Sequence, residues 1–94
     1  MNSLTNFNEF DAALAKARAG MNRLNLANSG DAFLQSISRQ LAFVFEWTRG
    51  GKRPSDEQIK KLSFGVMASK AVDEIDPELA GELYALANYL DNWK

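Results

Sequence analysis

Apolar residues recur along the chain at the spacing of α-helices, and no segment shows the period-two alternation of a half-buried strand. The first apolar stripe advances by three and four residues from Phe7 to Leu24, directly after a capping asparagine at Asn6. Gly20 and the polar stretch 22–30 interrupt that stripe near its end. The pattern therefore predicts a first helix with a ragged end, followed by a loop.

A second helix is predicted from Asp31 to Thr48, and its apolar residues cover so much of the circumference that it needs neighbours on more than one side. Residues 49–54 contain two glycines and a proline, which end that helix. A third helix is predicted from Ser55, which has a glutamine three residues later as in a capping box, to about Glu74.

The fourth helix has the clearest start in the chain, because Asp76 can cap it and Pro77 occupies a first-turn position that needs no amide donor. Its leucines continue the three-and-four spacing from Leu79 to Trp93. Four amphipathic helices with short connections predict an all-α fold, a compact and largely antiparallel four-helix bundle. Ninety-four residues suit one domain, so we expect residues 1–94 to form a single helical domain.

Composition removes most catalytic chemistry. The chain has no histidine and no cysteine, so the usual general base, the thiol nucleophile and most zinc ligands are absent. We therefore expect no enzyme activity, no cofactor and no bound metal. The amino terminus has no basic and apolar signal segment, and no apolar run is long enough to cross a bilayer. The expected location is the cytoplasm, without membrane association.

Charge is distributed unevenly along the chain. Residues 1–72 hold ten Lys or Arg against six Asp or Glu, whereas residues 73–94 hold six acidic residues and Lys94 alone. The acids near residue 76 have neither the spacing of a calcium loop nor the convergence of a catalytic pair. Helix capping explains part of the cluster, and an acidic face for a basic partner explains the rest. The predicted partner-binding residues are Lys70, Asp73, Glu74, Asp76, Glu78 and Glu82.

Two other polar or aromatic features suggest different partners. A basic group that begins at Arg49 and ends at Lys61 is typical of nucleic-acid contacts, but the sequence pI of about 5.3 argues against a nucleic-acid module. Tyr84 and Tyr89 lie off the main stripe of the last helix, so we expect at least one to be exposed. An exposed tyrosine suits either a protein partner or self-association of the free protein.

The segment from residue 62 to residue 83 carries a family resemblance. A helix with Gly65 and Lys70 is followed by Asp-Glu-Ile at 73–75 and by Asp-Pro-Glu-Leu at 76–79. This segment resembles the small helical immunity proteins that protect bacteria from type VI secretion toxins. It is most similar to the immunity protein of an NAD(P)⁺-glycohydrolase toxin. The similarity covers about half of the chain and is weakest in the first thirty residues.

The resemblance implies a non-catalytic protein that binds its cognate secreted toxin domain and blocks the toxin's active site. It also allows immunity to a different nucleotide-directed toxin, such as a nucleotide pyrophosphokinase. Two further interpretations stay open at this stage. One is a helical adaptor or regulatory subunit with another protein partner, and the other is a small nucleic-acid-binding regulator, which the acidic carboxyl-terminal quarter disfavours.

Overall fold

The computed structural model describes residues 4–93, and all regular structure in that range is helical, which confirms the all-α prediction. The elements are helix α1 (Phe7–Ala27), helix α2 (Ala32–Trp47), a 3-10 turn (Arg49–Gly51), helix α3 (Asp56–Lys60), helix α4 (Phe64–Ala71) and helix α5 (Pro77–Asn92). No helix of the described part of the chain is long and apolar enough to cross a membrane.

Local side-chain caps start four of these helices, three of them at the capping residues that the sequence predicts, Asn6, Ser55 and Asp76. Each capping side chain accepts a hydrogen bond from the backbone N–H three residues later, which satisfies a donor that has no partner within the helix. Ser55 and Gln58 form the complete reciprocal capping box at the start of α3. The four capping residues are Asn6, Asp31, Ser55 and Asp76.

The four longer helices pack in a closed ring in which α1 contacts α2 and α5, and α4 contacts α2 and α5. Helices α1 and α5 run antiparallel, because Gly20 lies against Leu79 while Phe10, ten residues earlier, stacks on Tyr89 with ring centroids 4.9 Å apart. The short connections reverse the chain between α1 and α2 and between α4 and α5. The bundle is therefore antiparallel around the whole ring, and α3 is an additional short helix outside it.

The core of the bundle is apolar and is supplied by all four long helices. Full burial of each large apolar side chain stabilises the fold by about 1.5–3 kcal/mol relative to exposure. The one buried polar residue of the described range is Thr48, whose hydroxyl donates a 2.8 Å hydrogen bond to the carbonyl of Val44. The largest fully buried side chains are those of Phe10, Phe64, Leu14, Met21, Leu34, Ile37, Leu41, Leu83, Leu86, Leu90, Val44 and Val72.

The predicted ragged end of the first helix is wrong, because α1 continues without a break through Gly20 to Ala27. Gly20 is buried, and a methyl group at that position would lie 3.0 Å from Cδ1 of Leu79. The glycine thus permits close packing of α1 on α5 and does not end the helix. Asn25 supports the last turns, since its amide donates to the Ser38 hydroxyl of α2 at 2.6 Å.

The predicted third helix is in fact two helices, α3 and α4, separated by residues 61–63. Ser63 leaves the helical path because its backbone N–H donates to Oε1 of Gln40 in α2, at 2.7 Å. The Gln40 amide returns a hydrogen bond to the Ser63 hydroxyl at 3.2 Å. In a continuous helix the backbone N–H of Ser63 would donate to a carbonyl four residues earlier, but here it donates to a side chain of another helix. Val66 is 64 % exposed as a result, whereas Phe64 and Ala68 enter the core.

Candidate partner-binding surface

The connection between α4 and α5, residues 72–76, forms a tight corner that we call the α4–α5 corner. Two backbone bonds close it: the N–H of Asp73 donates to Ala68 and the N–H of Asp76 donates to Val72, at 2.9 and 2.8 Å. The side chains of Asp73 and Glu74 point into solvent at this corner. The fold thus presents two neighbouring carboxylates on a rigid turn.

Asp76 has a structural role at this corner. Its carboxylate accepts a 3.1 Å hydrogen bond from the backbone N–H of Leu79, which caps α5 as predicted, and the residue is half-buried. A cap of this kind contributes about 1 kcal/mol to the stability of its helix. One of the six predicted partner-binding residues therefore already has an intramolecular partner.

Glu78 and Glu82 lie on the side of α5 that faces α1, where both approach Lys16. Nζ of Lys16 lies 3.9 Å from Glu78 and 3.5 Å from Glu82. The Glu82 side chain is only 12 % exposed, whereas that of Glu78 is 80 % exposed. Lys16, Glu78 and Glu82 line a shallow groove between α1 and α5, and Arg23 of α1 lines it as well. Positive charges on α1 therefore compensate the negative charges of Glu78 and Glu82. Because Lys16 is largely exposed, its ion pairs stabilise the fold by at most about 1 kcal/mol.

Lys70 is exposed in the last turn of α4, where a positive charge is favourable at the helix carboxyl end. Lys70 and Glu74 are four residues apart, a spacing that predicts an intrahelical ion pair if the helix continues to residue 74, and this prediction is wrong. Helix α4 ends at Ala71, so Glu74 lies beyond the helix and loses the required geometry. No ion pair within 4.0 Å joins the two side chains in the part of the chain that the structure describes.

Two exposed apolar groups, one in the corner and one on α5, are absent from the predicted set of partner-binding residues. Ile75 is 52 % exposed and Tyr84, on α5, is 37 % exposed. Partial desolvation and the negative charge of nearby Asp73 raise the pKa of the Tyr84 hydroxyl. Tyr84 is the exposed tyrosine that the sequence predicts, since Tyr89 instead packs on Phe10. The spacing of the α5 leucines indicates from the sequence that Tyr84 is exposed. Only the fold shows that Asp73 is near enough for its charge to affect the pKa of Tyr84.

The basic group does not form a coherent stripe. Arg53 donates to the carbonyl of Trp93 at 2.7 Å and to the carboxylate of Asp56 at 2.7 Å, which ties the loop before α3 to the end of α5. This hydrogen bond and the positive charge of Arg53 lower the pKa of Asp56. Arg49, at the start of the 3-10 turn, lies 3.6 Å from Glu46 in the last turn of α2. Two of the five predicted basic residues thus have acidic partners inside the molecule.

The acidic residues do not converge on a metal site: within residues 4–93 no three Asp or Glu side chains are grouped so that they could hold an ion. Exposed carboxylates and exposed apolar side chains instead occur together at and beside the α4–α5 corner. Exposed apolar groups are surrounded by charge, as in the rim and centre of a protein interface.

Comparison with known proteins agrees with this description. The family model named Tsi6 matches residues 5–92, a range that includes all five α-helices. No curated protein and no solved structure gives a significant match. A match over nearly the whole chain shows the family, and the all-α bundle is consistent with it. The chain therefore belongs to the Tsi6 family of type VI secretion immunity proteins.

Proposed function

We propose that this protein neutralises a cognate secreted toxin domain by binding it one-to-one and covering its active site, and that the toxin consumes NAD(P)⁺. The family supports the role of immunity protein. The resemblance of residues 62–83 to the immunity protein of an NAD(P)⁺ glycohydrolase supports the identity of the toxin. The protein itself would contribute no chemistry, only a surface that competes with the substrate.

The observation that carries this proposal is the pair of exposed carboxylates at the α4–α5 corner. The ion pairs of the described residues include neither Asp73 nor Glu74, so both charges are available to a partner. A dinucleotide carries a pyrophosphate, and enzymes bind such groups with cationic side chains and helix amino termini. An acidic corner therefore complements the part of the toxin that its substrate would occupy, and complementary charge accelerates the encounter.

The apolar groups beside these carboxylates should supply most of the binding affinity, which charge alone does not. Exposed ion pairs contribute little net affinity, whereas aromatic and aliphatic side chains at the centre of an interface contribute most of it. Ile75 and Tyr84 are the candidates for this apolar contribution to affinity. Ile75 lies in the corner, and Tyr84 is near enough to Asp73 for that charge to affect its pKa. We place Lys70 and Glu78 at the edge of the interface, and Asp76 and Glu82 beneath it as supporting residues.

The proposed function predicts that a neighbouring gene encodes a secreted protein with a carboxyl-terminal toxin domain, and the direct test uses that domain. That domain is purified and its hydrolysis of NAD⁺ is measured against increasing amounts of this protein. One equivalent should abolish hydrolysis, and co-expression should restore growth to cells that produce the domain. A toxin that instead transfers pyrophosphate to nucleotides would replace the proposed substrate and leave the immunity role intact.

The placement of the interface is tested with a double charge reversal, Asp73→Lys with Glu74→Lys. Both side chains are exposed, so the fold should persist, and the association rate constant should fall about tenfold or more at low salt. Asp11→Lys with Glu57→Lys is the matched control, because it makes the same change of net charge at exposed positions on α1 and α3. Equal association rates for the double variant and the control would contradict this placement.

A further inference from the structure

The side of α2 next to α4 carries exposed aromatic side chains. Phe33 is 50 % exposed and Phe43 is 49 % exposed. Phe43 also stacks on Trp47, one turn later, with ring centroids 5.7 Å apart and an angle of 11° between the rings. All three residues lie on the same side of the helix as Gln40, because whole turns of the helix separate them from it. We call Phe33, Phe43 and Trp47 the α2 aromatic face.

The composition of this face is that of a protein interface. A single exposed apolar residue is ordinary, whereas a contiguous apolar patch marks a site of interaction. Aromatic residues are enriched in interfaces and dominate their affinity. The helix rises about 21 Å from Phe33 to Trp47, a span that fits within one standard interface of about 800 Å² per partner. Phe45, on the opposite side of α2, already has a partner within the molecule, because the guanidinium of Arg18 lies 4.5 Å from its ring centroid.

The uncompensated charge beside the α2 aromatic face is positive. Arg39 is exposed and lies one turn before Phe43 on the surface of α2. The ion pairs of the described residues do not include Arg39. The carboxylates of the same helix are already engaged, since Glu46 lies 3.6 Å from Arg49 and Asp31 caps the start of α2. The charge at this face therefore complements carboxylates of a partner.

Lys70 of α4 lies level with Phe33 across the seam between α2 and α4. Gln40 accepts a hydrogen bond from the backbone of Ser63, and the two helices run antiparallel. Two turns back along α2 from that bond and two turns forward along α4 therefore lead to the same level, about 10.5 Å away, at Phe33 and Lys70. Lys70 is exposed, and the α4–α5 corner begins two residues after it. The α2 aromatic face thus adjoins the corner, and the surface changes from positive to negative between them.

We propose that the α2 aromatic face binds an acidic, partly apolar segment of the toxin domain, as a second contact beside the α4–α5 corner. This proposal rests on the proposed function and adds a contact of opposite charge to it. Single-stranded nucleic acid also stacks on exposed aromatic rings, but its backbone requires a positive groove along its whole path, and the adjoining corner is acidic. A protein segment requires only carboxylates opposite Arg39 and Lys70. Because the two contacts have opposite charges, they select one orientation of the partner.

The first experiment measures the dissociation constant of the full chain with the purified toxin domain that the proposed function predicts. Phe43→Ala should raise this constant about tenfold or more, because an aromatic anchor is lost. Phe45→Ala is the matched control, since it removes the same side chain from the opposite side of the same helix, and it should change the constant by less than about threefold. Phe33→Ala is a second variant that should also weaken binding. Thermal denaturation followed by circular dichroism checks that each variant is folded.

The second experiment tests the sign of the partner's charge. Arg39→Glu should slow association about threefold or more at low salt, and less at high salt. Reversal of Asp73 and Glu74 to lysine should slow association as well, although it shifts the net charge of the protein in the opposite direction. A general effect of net charge would slow one variant and accelerate the other. Faster association of Arg39→Glu would show that the toxin is basic opposite α2 and would overturn the proposal.

The remaining outcomes separate this proposal from the proposed function. If the wild-type protein neutralises the toxin and Phe43→Ala binds as tightly as Phe45→Ala, the α2 aromatic face is not a contact, although the proposed function stands. If the wild-type protein does not bind the toxin domain, both proposals fail. Sedimentation velocity and binding of single-stranded oligo-dT use the free protein. A dimer, or an oligonucleotide complex, that Phe43→Ala disrupts would assign the face to a second copy of this chain or to nucleic acid, and either would refute the proposal.

Discussion

The break between α3 and α4 depends on one side chain, Gln40, and replacing it with alanine tests why the predicted continuous helix does not form. Oε1 of Gln40 accepts a 2.7 Å hydrogen bond from the backbone N–H of Ser63. Its amide donates to the Ser63 and Ser36 hydroxyls, each at 3.2 Å. Gln40→Ala removes these three bonds and a weaker 3.6 Å contact of the amide with Sδ of Met67, and it leaves the Ser63 N–H facing the space that the side chain occupied.

The expected loss of stability is modest, because Ser63 is exposed and water can replace its lost partner. A net hydrogen bond of this type contributes about 1 kcal/mol, and the two longer bonds add less, so the free energy of unfolding should fall by about 1–2 kcal/mol. For a domain of this size, each kcal/mol lowers the melting temperature by about 4–8 °C. Gln40→Glu keeps the acceptor for Ser63 and loses only the donors, so it should cost less than Gln40→Ala.

Chemical denaturation and amide hydrogen exchange provide the measurements. The Ser63 amide should exchange faster in Gln40→Ala and at nearly the wild-type rate in Gln40→Glu. Gln35→Ala, at an exposed position of the same helix, controls for the change in helix propensity. Unchanged stability and unchanged Ser63 exchange in Gln40→Ala would show that Gln40 does not hold the break, and the explanation given for it would be wrong.

Two further predictions concern the carboxylates. Asp76→Ala should lower the free energy of unfolding by about 1 kcal/mol through loss of the α5 cap, and Asp76→Asn should retain most of it; equal losses on denaturation would refute the capping role. The Asp56 carboxyl should titrate below its ordinary value of 3.8 in the folded protein. Because the folded pKa is lowered, the associated stability is present above that value and is lost as the pH falls through the folded pKa. Arg53→Ala should raise the Asp56 pKa in an NMR titration, and an unchanged value would exclude Arg53 as the cause.

The acidic residues from Asp73 to Glu82 show which properties of the candidate surface could be predicted from the sequence. The acidity of this segment and the capping role of Asp76 are visible in the sequence, because capping needs only a side chain and a backbone N–H three residues away. The ion pair of Glu82 with Lys16 was not visible in the sequence. It depends on Lys16, sixty-six residues earlier in the chain, which the antiparallel packing of α1 brings within 3.5 Å of Glu82.

The sequence by itself determined the helix starts and the all-α fold, since caps and apolar spacing act between residues three or four positions apart. Tertiary structure decided where helices continue and where they break. Gly20 stays helical because Leu79 packs against it, and the chain leaves the helix at Ser63 because Gln40 accepts its N–H. It also brings Gly65 of α4 into close contact with Ala87 of α5. These outcomes depend on distant partners, whose positions only the packed bundle defines.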